Sequence, residues 1–226
     1  MEGITGDNKN IPLIYNPNPR ARRLSLRLSS KEFAFILTHP PRTTPRQIQS
    51  FLRQCGPWIE RQVQRIHEPP SLSPGCTFSL HGEDFECVLD RLRCKPILCR
   101  NTKTLRLPQN FLQKDLYSLF KKVAHETILP ILQEILDVLG QDVTQVSFRD
   151  NKTRWGSCSG RKTISLNWRL IFLPPEVARY VCAHEAAHLL HMNHSQDFWK
   201  IVSELCPTYR HHKKWLKAHG STWIRF

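Results

Sequence analysis

Along the chain, Leu24-Ser25-Leu26-Arg27-Leu28 alternates apolar and polar residues, the two-residue period of a strand with one buried face. Phe33 to Leu37 supplies a partner across a Ser29-Ser30-Lys31 turn, and Pro40-Pro41 closes the pair. The stretch before Arg20 is polar and reads as loose. From Pro45 to His67 the period changes: Ile48, Phe51, Leu52, Ile59, Val63 and Ile66 recur at helical spacing, interrupted at Gly56-Pro57. Strands are expected over residues 77–80 and 85–89 around the turn His81 to Asp84, and near Leu105 to Leu107. A long helix follows from Gln113 to Gly140, bent at Pro130, then strands over 143–148 and 163–172. Helices over 175–192, 196–206 and 209–218 complete an α+β pattern with no internal repeat. The division read from this order is a β-rich N-terminal subdomain with one helix, residues 1–107, and a second domain, 108–226.

Inside the predicted 175–192 helix lies His184-Glu185-Ala186-Ala187-His188. Residues at i and i+4 share a helical face, so the imidazoles of His184 and His188 can converge on one ion while Glu185 flanks it. Imidazole nitrogens hold zinc at roughly 2.0–2.1 Å, and a catalytic site keeps a position for water whose pKa falls toward about 7. Glu185 is then placed to take the proton from that water. Two histidines compete for third ligand. His191 lies about 10 Å along the helix axis from His184 and would have to reach backwards. His194 is preferred, because Asn193 can adopt the left-handed turn that ends a helix and bring His194 back, with Ser195 as cap of the next helix and Asp197 in its first turn.

The spacing from His184 through His188 to His194 equals that of the metzincin proteases, but His191 stands where they have glycine, and no methionine follows His194. The surroundings fit elsewhere. Thr153-Arg154-Trp155-Gly156-Ser157-Cys158, Ile164 to Leu170, Pro174-Pro175-Glu176-Val177, the histidine motif, Met192-Asn193-His194-Ser195, Phe198-Trp199 and Cys206-Pro207 together resemble the YgjP-like metallopeptidase family. So does Arg20 to Arg27 near the amino terminus, and position 186, often leucine in such motifs, is alanine here. The resemblance implies a zinc peptidase with His184, His188 and His194 as ligands, Glu185 as catalytic residue, and a zincin-like helical catalytic domain whose motif helix packs on a small sheet.

The remaining site candidates come from the flanking strands. Ile164, Leu166, Trp168 and Leu170 alternate with Ser165, Asn167 and Arg169, so that strand can offer a polar face, Asn167 included, and backbone groups to an extended peptide. Arg154 is a candidate for stabilising an oxyanion and Trp155 for lining the cleft.

Composition narrows the classes. The amino terminus resembles neither a secretory signal nor a transit peptide, and no run approaches the ~20 apolar residues of a membrane span, so a cytoplasmic protein is expected. The cysteines at 55, 76, 87, 94, 99, 158, 182 and 206 form no C-x-x-C and read as reduced thiols, Cys158 and Cys182 as packing residues. A formal charge of +14 invites anionic partners: Arg20, Arg22, Arg23 and Arg27 form one cluster, Arg210, His211, His212, Lys213, Lys214 and Lys217 another. Weak, nonspecific nucleic-acid binding is expected beside a peptide or protein substrate. Two alternatives follow from the charge: a metal-dependent nucleotide hydrolase, or a basic nucleic-acid-binding protein with structural zinc. Against the first, the chain lacks a phosphate-cradling glycine loop.

Overall fold

In the computed structural model, residues 3–6, 9–29, 34–65 and 72–224 are described. The chain divides into two compact units, Met1–Glu68 and Pro69–Ile224. The boundary expected near Pro108 therefore falls about forty residues earlier. The reason is the core: Phe78, Leu80, Phe85, Leu105 and Leu107 are buried in the same apolar cluster as Phe120, Phe148 and Phe172.

Among its described residues the first unit is a four-stranded sheet ordered β1-β2-β4-β3, with two helices. Where described, the residues before Arg20 include two strands rather than a loose start. Strand β1 (Gly3–Gly6) pairs antiparallel with β2 (Lys9–Pro17), which runs parallel to β4 (Ala34–His39). Strand β3 (Ser25–Ser29) pairs with β4 as the alternation predicts, though the turn expected between them lies outside the described residues. Helix α1 (Pro45–Gln54) is started by a capping box, in which Gln47 N–H donates to Thr44 Oγ1 at 3.4 Å and Thr44 N–H donates to Gln47 Oε1 at 2.8 Å. It breaks at Cys55, and α2 (Gly56–Arg65) follows. Ile11, Leu13, Phe35, Leu37, Ile59 and Val63 form a small core of their own.

The second unit carries two sheets and the remaining helices. β5 (Thr77–Leu80), β6 (Glu83–Leu89), β7 (Ile97–Cys99) and β8 (Thr104–Leu107) make one, ordered β5-β6-β8-β7; the short β7 escapes the sequence pattern. Helix α3 (Gln113–Leu139) holds Pro130 on an exposed position and ends at Gly140, whose φ of 61° is the left-handed cap that glycine adopts without strain. β9 (Gln145–Arg149), β10 (Gly156–Cys158) and β11 (Thr163–Asn167) form the other sheet, ordered β10-β11-β9.

Two departures in this region bear on the site. The strand expected to reach Phe172 stops at Asn167, and Trp168–Phe172 coils into a 3-10 turn capped by Asn167, whose Oδ1 accepts from Arg169 N–H at 3.1 Å. Moreover, β11 lies between β10 and β9, so both of its edges are already paired and it has none to offer a peptide. Among the described residues the unpaired edge beside the motif helix belongs to β10.

That helix, α4 (Pro175–Ala187), opens on Pro174-Pro175 with Glu176 in its first turn and packs against α3, β10 and β11. Val177, Ala178, Val181, Ala183, Ala186 and Ala187 are buried. Each fully buried valine contributes about 1.5–3 kcal/mol of apolar transfer, so packing fixes the axis on which the histidines stand. A forked ion pair from Arg179 to Glu134 of α3, both contacts at 2.8 Å, ties its outer face. Helices α5 (Gln196–Leu205) and α6 (Tyr209–Trp223) complete the unit and both pack on α4. Among the described residues no helix is long and apolar enough to cross a membrane.

Candidate metal centre

Helix α4 ends earlier than the pattern suggests, at Ala187 rather than Met192. Leu189 N–H and Leu190 N–H turn to the carbonyls of Ala186 and Ala187, the three-residue bonds that tighten a last turn. His188 keeps helical angles, φ −66° and ψ −17°, and so remains above His184 on the same face. The chain returns differently from expectation. Asn193 has no positive φ; its Oδ1 instead accepts from Ser195 N–H at 3.3 Å, a side-chain-built turn. Ser195 then caps α5 by accepting from Phe198 N–H at 3.4 Å, with Asp197 in the first turn as predicted.

The result is a triangle of imidazoles. Ring centres of His184, His188 and His194 stand 5.1, 5.0 and 4.9 Å apart, and one nitrogen from each lies within 4.8 Å of the other two. His184 Nε2 and His194 Nε2 are separated by 3.2 Å. Two nitrogens each about 2.0–2.1 Å from one tetrahedral ion stand about 3.3 Å apart, so this pair fits a shared metal closely. His188 Nδ1–H donates to the His191 carbonyl at 3.0 Å, which leaves its Nε2 lone pair for a metal. His191 thus serves the cluster through its backbone. Among the described residues, buried His184 Nδ1 has no such acceptor.

Phe198 is the residue sequence reasoning underrated. Its fully buried ring lies 5.0, 4.6 and 4.8 Å from the three imidazoles and forms their common floor. Trp199 stacks on His194 at 5.8 Å and is itself stacked on Tyr209 at 5.3 Å. This apolar setting shows in the protonation equilibria. Burial, with the neighbouring His188, His194 and Lys213, lowers the pKa of His184 to about 4. That of His188 is also lowered, by burial first, against the bond to His191. Both shifts favour the neutral imidazole that binds metal.

Glu185 is 6% exposed, and burial raises its pKa to about 7 against the opposing charge of Arg154. Its carboxylate lies against the backbone of β10 at Gly156. A Cβ built on that glycine would stand 2.5 Å from Glu185 Cγ and 2.6 Å from Oε1, so only a residue without a side chain leaves room. No local pattern could have revealed this, because the two residues meet across elements.

The other candidates are spread around this cluster. Arg154 is exposed. Trp155 turns its ring toward α6, where a Cβ on Gly220 would be 3.1 Å from its Nε1. Asn167 is fully buried, and its Nδ2 donates to the carbonyls of Asn151 at 2.7 Å and Arg154 at 3.2 Å. All eight cysteines are free thiols; Cys182 is fully buried, its pKa pushed to about 12 by burial, and Cys158 is partly buried with its pKa also raised, by burial first.

Comparison with known proteins places this centre in context. Two crystal structures are similar to part of the chain: the metallopeptidase zymogen abylysin of Pyrococcus abyssi, 26% identical over 40% of this chain and 92% of its own, TM-score 0.37, and the metallopeptidase zymogen jannalysin of Methanocaldococcus jannaschii, 24% identical over 40% and 95%, TM-score 0.33. No curated protein matches the chain. The family model described as YgjP-like, metallopeptidase domain, matches residues 22–219, which include the three histidines, Glu185, Gly156 and Phe198. The chain therefore belongs to the YgjP-like family of metallopeptidase domains.

Proposed function

We propose that this protein is a zinc-dependent peptidase in which His184, His188 and His194 hold the metal and Glu185 moves the proton. The observation that carries this reading is the convergence of three imidazoles beside one buried carboxylate. Among the described residues no cysteine or further carboxylate joins the cluster, so three donors leave a position open, as in catalytic rather than structural zinc sites. Nitrogen donors also suit zinc better than magnesium or calcium, which take oxygen.

When bound, the ion supplies Lewis-acid polarisation of the scissile carbonyl and lowers the pKa of nearby water. Glu185 does the proton work. With a pKa near 7 it can accept a proton from attacking water and pass it to the leaving amine at modest cost in either direction. Arg154, whose charge reaches Glu185, is our candidate for stabilising the developing oxyanion. Asn167 we assign to holding the Arg154 loop from below, since its amide is spent on that backbone. Trp155 we assign to anchoring the same loop on α6. The substrate backbone lies along the free edge of β10, where an extended peptide can pair as an added strand.

Metal analysis of the purified protein, run with peptide libraries and nucleoside triphosphates side by side, tests this reading. One zinc per chain and peptide cleavage are expected. Phosphoanhydride hydrolysis without peptide cleavage would move the reaction to nucleotides. Retained zinc with neither activity would leave a structural ion in a basic binding protein.

A further inference from the structure

Arg210, Lys213, Lys214 and Lys217 of α6 recur at i, i+3, i+4 and i+7, the spacing that sets four side chains on one helical face along about 10 Å of axis. All four are exposed, and no residue of the helix is acidic. Among the described residues none of the four forms an ion pair with a carboxylate. Like charges three and four positions apart repel, so the stripe weakens the helix that bears it.

Its place in the fold is specific. Lys213 Nζ sits 3.9 Å from the centre of the Trp199 ring, and Trp199 lies 5.8 Å from the rings of both His184 and His194. Lys213 thus brings the stripe to the aromatic ring that borders the three-histidine cluster, and Arg154 adds a cation on the Glu185 side.

We propose that this face of α6 is a recognition surface for acidic peptide segments, with Asp and Glu residues near the scissile bond lying on Lys213, Lys214 and Lys217. The proposal rests on the peptidase reading above and names its substrate class. Charge complementarity of this kind raises encounter rates and sets register. Nucleic acid is the weaker occupant. Single strands are held by stacking bases on free aromatic faces, whereas Trp199 is already stacked with His194 and Tyr209, and the Trp215 ring is in tilted contact with His219 at 4.8 Å.

The test uses two labelled peptides identical except that the Glu residues of one become Gln in the other. Binding is read by fluorescence anisotropy on Glu185→Gln protein and kcat/KM on the wild type. The acidic peptide should be favoured about tenfold at low salt, an advantage that shrinks as salt rises. In the Lys213→Gln/Lys214→Gln/Lys217→Gln protein the ratio should fall to about one. Replacing the same lysines with Glu should turn the preference toward a Lys-bearing peptide, an inversion that loss of folding cannot produce. Equal handling of the two peptides by the wild type, or an unchanged ratio in the Gln variant, overturns the proposal. Loss of oligonucleotide affinity in that variant with the peptide ratio intact also overturns it and gives the surface to nucleic acid. Absence of any cleavage with the binding preference preserved refutes the peptidase reading while supporting the acidic-peptide surface.

Discussion

Nine of the thirteen residues of α4 are buried, whereas α6, packed against it, turns Arg210, Lys213, Lys214 and Lys217 to solvent. The two helices carry ionisable groups for opposite ends. In α4 burial does chemical work: it holds His184 neutral and brings the Glu185 pKa to about 7. On α6 water screens each cation, so even Lys213, which helps lower the His184 pKa, acts there after burial and the neighbouring histidines, but together they can select what approaches. On the proposed reading, chemistry is placed where desolvation is strong, and recognition where it is weak. The sharpest test of that division is Glu185→Gln. It keeps size and burial but removes the proton carrier, so kcat should fall by about 10³-fold or more while metal content stays unchanged. Metal loss in parallel would put Glu185 among the ligands and break the contrast.

The next effect separates the two histidines after α4. His194→Ala removes a converging nitrogen and should weaken metal affinity by more than about 100-fold, whereas His191→Ala keeps the backbone carbonyl that His188 uses and should cost less than about tenfold. Metal retention after graded chelator treatment reads both. Equal losses would mean that the His191 ring enters the site.

Gly156 asks whether burial alone positions the carboxylate. Glu185 has nowhere to retreat, so Gly156→Ala should displace it by about an ångström and lower kcat by about 100-fold, with KM and metal content nearly unchanged. Glu185→Asp withdraws the carboxylate by one methylene, so adding Gly156→Ala to it should cost little more. Fully additive losses in kcat would deny the steric link between the two.

How much of this was legible follows from range. His184, Glu185 and His188 are readable because one helical turn sets their relation, and Ser195 because a cap is a local bond. Even the return of His194 was readable, although a side-chain turn by Asn193 replaces the left-handed one. Gly156 and Phe198 were not, since their roles arise from contacts between separate elements. For the same reason alternation in residues 163–167 identifies a strand but not its neighbours, and β11 proved central rather than peripheral. Likewise the strands of residues 77–107 show one apolar face without saying whose core it joins.

The smallest effect concerns a cation treated as α4 treats its groups. Arg169, 2% exposed, lies 4.3 Å over the Trp168 ring and is paired with Asp150, whereas exposed Lys213 lies over Trp199 and pairs with no carboxylate among the described residues. Asp150 is open to water, with its side chain 39% exposed, and lines a cavity of about 490 Å³ with Arg169. Burial pushes the Asp150 carboxyl upward, but hydrogen bonds and charge from Arg169 and Lys152 outweigh it, and the pKa is lowered. A lowered folded pKa means that the carboxylate stabilises the fold above its unfolded pKa, near 3.9, and that this contribution is lost as pH falls through the folded value. Removing one partner of a buried pair costs about 3–5 kcal/mol, and solvent screening of Asp150 reduces this to about 2 kcal/mol for Asp150→Asn at neutral pH. The difference in unfolding free energy between wild type and variant, measured by urea titration from neutral pH downward, should stay level to about pH 4 and then shrink. Lys213→Gln, measured the same way, should change stability by less than about 0.5 kcal/mol at every pH. A pH-independent difference for Asp150→Asn would show that Arg169 is held by Trp168 and its packing rather than by the carboxylate.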